Sequence, residues 1–167
     1  MTIVSNTSPL CYLVLIGHAS VLPKLYGDIA TTETVLAELR HADAPPAVRT
    51  WAAAPPEWLK IHPDPIPRDN TLADLDPGER TAIHLAEQLK ADVVLLDESA
   101  ARTLARQRVL KVAGTLGVLR DAAQAGFLKL PDALDLLRKI NFRASPELWK
   151  SLYSRRDREG TRRRRVI

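Results

Sequence analysis

Short apolar runs alternate with amphipathic stretches from residue 2 to about residue 125. Thr2-Ile3-Val4-Ser5 reads as a brief β-branched strand broken by Asn6-Thr7-Ser8-Pro9. Ser8 as N-cap and Pro9 at the first helical position predict a helix whose apolar residues run to Ile16. Gly17 closes it, and a second short helix is expected from His18 to Leu25, stopped by Gly27. Asp28-Ile29-Ala30 predicts a weak strand, after which Thr31 or Thr32 caps a helix through Arg40 with Val35, Leu36 and Leu39 on one face. A helix around Val48-Arg49-Thr50-Trp51 and a strand at Trp58-Leu59-Lys60-Ile61 follow. Asp76-Pro77-Gly78-Glu79 opens a helix through Lys90, and Val93-Val94-Leu95-Leu96 is a continuous apolar run of the kind covered on both faces in a parallel sheet. Asp97 ends that strand. Beyond it the pattern predicts a helix from Glu98 to about Gln107, a strand from Val109 to Ala113, a turn at Gly114-Thr115 and a helix from Leu116 to Ala125. Helices from Asp132 to Ile140 and from Pro146 to Tyr153, the latter capped by Ser145, complete the reading.

Alternation of this kind requires β-α-β crossovers, so the expected architecture is α/β with three layers, α/β/α, around a parallel sheet of four or five strands. Pro45 to Pro67 holds seven of the twelve prolines. The residues before it are too few to bury a core alone, so it reads as an excursion within one domain spanning residues 1–154. Composition agrees with a folded chain: 46% of the 167 residues are hydrophobic and 26% charged, while aromatics at 5% leave the core to aliphatic side chains. A single cysteine, Cys11, excludes a disulfide framework and a Cys-rich zinc site and is expected to be inert core. No apolar run reaches the roughly 18 residues of a membrane span. The run Pro9 to Ile16 lacks preceding basic residues and reads as buried structure rather than a signal, so a cytoplasmic protein is expected.

Charge changes the picture at one end. The net +4 conceals seven arginines, Arg155, Arg156, Arg158, Arg162, Arg163, Arg164 and Arg165, set against only Asp157 and Glu159. Residues 155–167 are expected to form a disordered basic tail, which either attracts phosphate backbones through counterion release or merely solubilises the chain.

In an open α/β sheet, ligands bind outside the carboxyl ends of the strands. That rule selects Asn6, Asp97 and Thr115, each just after a strand, with Glu79 in the first turn of its helix and Glu38 from the preceding helix. Each has a structural alternative. Asp97 caps the next helix, Asp76 and Glu79 form a capping box, Asn6 holds a turn, or Glu38 is a solvated helix residue. His18, His41, His62 and His84 show no His-Glu-x-x-His pattern, and Gly78 and Gly114 belong to no phosphate-cradling glycine run. Trp51, Trp58 and Trp149 fit packing better than base stacking. A phosphatase or receiver-like site on Asp97 would need a second aspartate by the first strand or a lysine after the last, where Asn6 and Gly114-Thr115 stand.

Five stretches in order resemble the PIN-domain nuclease superfamily over roughly residues 2 to 128. Ile3-Val4-Ser5-Asn6-Thr7-Ser8-Pro9-Leu10 is similar to its opening motif, and Thr34-Val35-Leu36-Ala37-Glu38-Leu39 to its second. Leu75-Asp76-Pro77-Gly78-Glu79-Arg80-Thr81-Ala82-Ile83-His84-Leu85-Ala86 resembles the third, Leu95-Leu96-Asp97-Glu98-Ser99-Ala100-Ala101-Arg102 the fourth, and Gly114-Thr115-Leu116-Gly117-Val118-Leu119 the turn after the last strand. The third and fifth resemble a branch related to VapC-type toxins. The resemblance implies a PIN-like fold and an endoribonuclease of toxin–antitoxin type that hydrolyses RNA. It places Asn6, Glu38, Glu79 and Asp97 on positions that bind Mg²⁺ or Mn²⁺, with Thr7 or Thr115 in support. It also implies a cognate antitoxin and a homodimer, with Tyr12 and Leu13 contributing to the dimer surface. Family members commonly carry aspartate where this chain has Asn6; an amide oxygen still ligates a cation, with one negative charge fewer. That change also leaves open a PIN-like module that binds RNA or antitoxin with little cleavage.

Overall fold

The apolar strands lie side by side in one sheet, and those at residues 3–5 and 29–32 are buried on both faces. In the computed structural model, which describes residues 1–140 and 142, the strands are β1 (Ile3–Ser5), β2 (Ile29–Thr32), β3 (Leu59–His62), β4 (Val93–Leu95) and β5 (Val112–Ala113). All pair in parallel, in the order β3-β2-β1-β4-β5. Eight helices are described: α1 (Thr7–Leu15), α2 (Val21–Tyr26), α3 (Glu33–Arg40), α4 (Pro46–Ala53), α5 (Pro77–Gln88), α6 (Ser99–Gln107), α7 (Thr115–Gln124) and α8 (Leu130–Lys139).

Side chains alternate across the pleat with period two. Ile3, Ile29, Leu59 and Leu95 join a cluster with α1, α2, α3, α4, α7 and α8, whereas Val4, Ala30, Val94 and Leu96 pack on α5 and α6. The sheet is therefore sandwiched between two helical layers, as expected for a PIN-like fold. From β1 the chain moves outward to β2 and β3, then returns to the other flank of β1 for β4 and β5. The reversal falls between β1 and β4, and Ser5 pairs with Leu95, so Asn6 and the residues after β4 emerge at one edge. Such a reversal is where open α/β sheets form a ligand crevice.

Several local expectations change. The first helix starts at Thr7 with Asn6 at the cap position, so Pro9 is its third residue rather than its first. Amide groups of the first helical turn need no intrahelical acceptor, so the proline costs nothing there. The strand expected from Val109 shrinks to Val112–Ala113. Val109 instead takes φ +63 and is 91% exposed, because the end of α6 folds back on itself: Val109 N–H bonds to the Arg106 carbonyl and Leu110 N–H to the Ala105 carbonyl. These two bonds form a Schellman motif, and they outweigh the β propensity of the run. Lys90, expected as the last residue of its helix, terminates it in the same way at φ +50. Thr115, expected in a turn, is the first residue of α7.

Leu13 is fully buried in the core, so it cannot contribute to a homodimer surface; Tyr12 packs edge-on against Phe142 with ring centroids 4.8 Å apart. Cys11 is half-buried rather than core, and burial pushes its thiol pKa up. Trp51 and Trp58 pack against each other at 6.0 Å, as the packing reading anticipates. No helix among the described residues is long and apolar enough to cross a membrane. The helix expected at Pro146–Tyr153 with its Ser145 cap, Trp149 and the seven arginines of the tail lie outside the described residues.

Candidate active site

Asn6 leaves β1 with its backbone N–H on the Leu95 carbonyl at 3.1 Å, beside the strand that delivers Asp97. Its side chain makes no capping bond to α1. It is only 2% exposed, and Oδ1 has no hydrogen-bond donor among the described residues. An orphaned buried acceptor costs about 1–3 kcal/mol, which a cation or an incoming donor would offset.

Asp97 follows the end of β4 at the same edge. Its carboxylate accepts the Thr115 backbone N–H at 2.8 Å and the Thr115 hydroxyl at 2.7 Å. It does not cap the next helix, because Glu98 occupies that position on α6. Burial raises the Asp97 pKa; the bonds from Thr115 and the charge of Arg102 oppose the rise, and Glu98 adds to it. The approach depends on Gly114, where a Cβ would lie 2.7 Å from Asp97 Oδ1 and 2.9 Å from Arg102 Nη1.

Glu79, 6% exposed in the first turn of α5, accepts the Asp76 backbone N–H at 3.3 Å, as half of the expected capping box. Burial raises its pKa, the Asp76 bond opposes this, and the charges of Asp76, Glu98 and Glu38 raise it further. Glu38, in the last turn of α3, is not a freely solvated helix residue. Oε1 accepts the Gly78 N–H at 2.9 Å and Oε2 accepts the Thr7 hydroxyl. A Cβ on Gly78 would stand 2.8 Å from the Glu38 carboxyl carbon, so only glycine admits this contact. The Thr32 and Thr81 hydroxyls, 2.9 Å apart, tie the start of α3 to α5. Beyond Thr7 and Glu38 opens a cleft of about 520 Å³, walled by Cys11, Ala37, Val48 and Pro77.

The fold thus brings Asn6 and Asp97 to adjacent strand ends, bonds Thr7 to Glu38 and Thr115 to Asp97, and sets Glu79 within the electrostatic reach of Glu38. It does not assemble a finished cage: among the described residues no three His, Cys, Asp or Glu side chains form a metal-ligand group. The donor set suits a hard divalent cation nonetheless. The orphaned Asn6 Oδ1 is a neutral oxygen ligand, and Asp97 and Glu79 are acids whose charged forms a cation would stabilise. Sequence reasoning missed Glu98 and Arg102. The doubled acid Asp97-Glu98 after an apolar strand was the available signal for one. An arginine on the helix that follows was the signal for the other.

The PIN-domain family DUF3368 matches residues 2–158. The match covers nearly the whole chain, and the chain belongs to this family; PIN domains are generally nucleases. No curated protein and no solved structure matches it.

Proposed function

We propose that this PIN-domain protein is a Mg²⁺- or Mn²⁺-dependent endoribonuclease of toxin–antitoxin type that hydrolyses RNA phosphodiester bonds, with a preference for single strands. The observation that carries the reading is the buried, donorless Oδ1 of Asn6 at the strand end beside Asp97. Asn6, Asp97 and Glu79 would hold the cation, with Glu38 behind them. When bound, the cation supplies Lewis-acid polarisation of the phosphate and a lowered pKa for water. The protein's own groups position the acids: Thr115 fixes both oxygens of Asp97, and Thr7 with the Gly78 amide fixes Glu38. The seven arginines from Arg155 to Arg165 would draw the RNA backbone in by counterion release. The toxin role, the cognate antitoxin, the homodimer and a cytoplasmic location rest on the likeness of Leu75–Ala86 and Gly114–Leu119 to VapC-type toxins.

The test is direct. Purified protein with Mn²⁺ or Mg²⁺ is expected to cut single-stranded RNA, and EDTA or Asp97→Ala should abolish cutting. RNA left intact with either metal would refute the reading. Asn6 itself favours a second possibility, a module that grips RNA or antitoxin with little turnover, because its amide supplies one charge fewer than an aspartate. Filter binding that persists in EDTA, is lost on removing residues 155–167 and is never accompanied by cleavage would select that reading.

A further inference from the structure

Arg102 carries a half-buried guanidinium at the edge that presents Asn6 and Asp97. Its Nη1 donates to the Leu96 carbonyl at 2.7 Å, the last backbone acceptor before Asp97. Nη1 also stands 2.9 Å from the point where a Cβ on Gly114 would sit, while Asp97 Oδ1 stands 2.7 Å from the same point. Burial works against the charge of Arg102, and the nearby Arg106 does too; only Asp97 favours it. Yet the Asp97 oxygens accept from Thr115 rather than from Arg102, and no carboxylate forms an ion pair with Arg102 among the described residues.

Arg108 makes the contrast. Arg108 Nη1 meets Glu87 at 2.8 and 2.9 Å, and its Nη2 meets Asp69 at 2.6 Å. At Arg108 both arms of the fork are closed by carboxylates. At Arg102 a single donor is anchored to a backbone carbonyl, and the remaining N–H groups of the fork have no protein acceptor among the described residues. Guanidinium forks match the oxygens of phosphate. A nucleic-acid backbone passing Asp97 would bring those oxygens to this edge.

We propose that Arg102 is a substrate-binding residue that holds a non-bridging phosphate oxygen of the RNA backbone beside Asp97. The inference rests on the nuclease reading for the identity of the substrate, but it is tested by binding rather than cleavage. Arg102→Met keeps the aliphatic stem and removes every donor. In EDTA, where no metal-dependent cutting occurs, anisotropy of a labelled single-stranded RNA should report affinity weakened roughly ten- to hundredfold in the full-length variant. The slope of log affinity against log salt should become shallower by about 0.7, the signature of one lost contact to a single strand. Calorimetric Mn²⁺ affinity, measured without RNA, should stay level or rise, because a positive charge beside Asp97 has gone. A residue that merely supported the fold would weaken RNA and Mn²⁺ binding together.

Unchanged RNA affinity and slope, a joint loss of RNA and Mn²⁺ affinity, or no RNA binding by the parent protein would each overturn the proposal. Should Arg102→Met fail to fold, Arg102→Lys decides: affinity reduced about three- to tenfold with the salt slope retained is expected, since charge persists while the fork is lost. Parent-level affinity in that variant would overturn it. Absence of metal-dependent cleavage by the parent protein would sink the nuclease reading alone.

Discussion

Gly78→Ala should destabilise the protein, although alanine is the better helix former. A Cβ at this position would overlap the Glu38 carboxylate, whose carboxyl carbon would stand only 2.8 Å away. The carboxylate ends a flexible side chain, so it would swing out while α5 stays in place. Its bonds from the Gly78 amide and the Thr7 hydroxyl would both be lost. A hydrogen bond to a charged group contributes about 1.5–3 kcal/mol. Glu38 is half-exposed and regains water on leaving, so about 2–3 kcal/mol for the pair is the appropriate figure. Alanine in place of glycine returns up to about 1 kcal/mol of helix propensity. The net loss is then about 1–3 kcal/mol, or a Tm lower by roughly 2–12 °C for a chain of this size. In a Glu38→Ala background nothing remains to be displaced, and Gly78→Ala should become neutral or stabilising by up to about 1 kcal/mol. Urea unfolding of the four proteins measures the cycle, with a coupling of about 2 kcal/mol expected. Equal effects of Gly78→Ala in both backgrounds would refute the reasoning.

Thr115→Val deletes the hydroxyl that bonds Asp97 at 2.7 Å and should lower stability by about 1.5–3 kcal/mol in denaturant unfolding, whereas Thr103→Val on an exposed face should stay within about 0.5 kcal/mol. Asn6→Asp adds a charge beside Asp97, so Tm should fall in EDTA and rise with Mn²⁺, and calorimetric Mn²⁺ affinity should increase about tenfold; a change of the same sign in both conditions would contradict the placement. Val109→Gly relieves a β-branched residue at φ +63 and should stabilise by about 1 kcal/mol, read as a higher urea midpoint. Burial, then the charge and hydrogen bond of Asp121, push the Tyr26 phenol up to about 12 from 10.0. Because the folded-state pKa is the raised one, its contribution to stability is complete below pH 10 and is lost as pH climbs towards 12. The slope of stability against pH should differ between the parent and Tyr26→Phe only in that window, and Asp121→Asn should move the phenol part of the way back.

The centre of the sheet was legible because its inner strands are buried on both faces: Val93-Val94-Leu95-Leu96 has no polar side to confuse with a helix, and Ile3-Val4 is its partner in register. The crevice rule likewise found Asn6 and Asp97 from their position after strands alone. Misread features depend on backbone geometry or on partners far along the chain. Val109 looks like the start of a strand because the Schellman closure of α6 leaves no mark in side-chain type. Leu13 is given to a dimer surface by the resemblance alone, and the packing of α1 into the core removes it from that surface. For Glu38 the alternative of a solvated helix residue stays open in the sequence, because its acceptor role is set by Gly78, 40 positions later. Arg102 is inconspicuous on an amphipathic helix, and its environment exists only once Gly114 and Leu96 are brought beside it.

A Mn²⁺ titration by calorimetry on the parent, Asp97→Asn, Asn6→Ala and the exposed control Asp43→Asn would bear most directly on whether the strand ends of β1 and β4 share a cation. One saturable site is expected in the parent and the control, weakened about tenfold or more by either crevice substitution. Four indistinguishable isotherms, or no binding in the parent, would mean that Asn6 and Asp97 do not hold a metal between them.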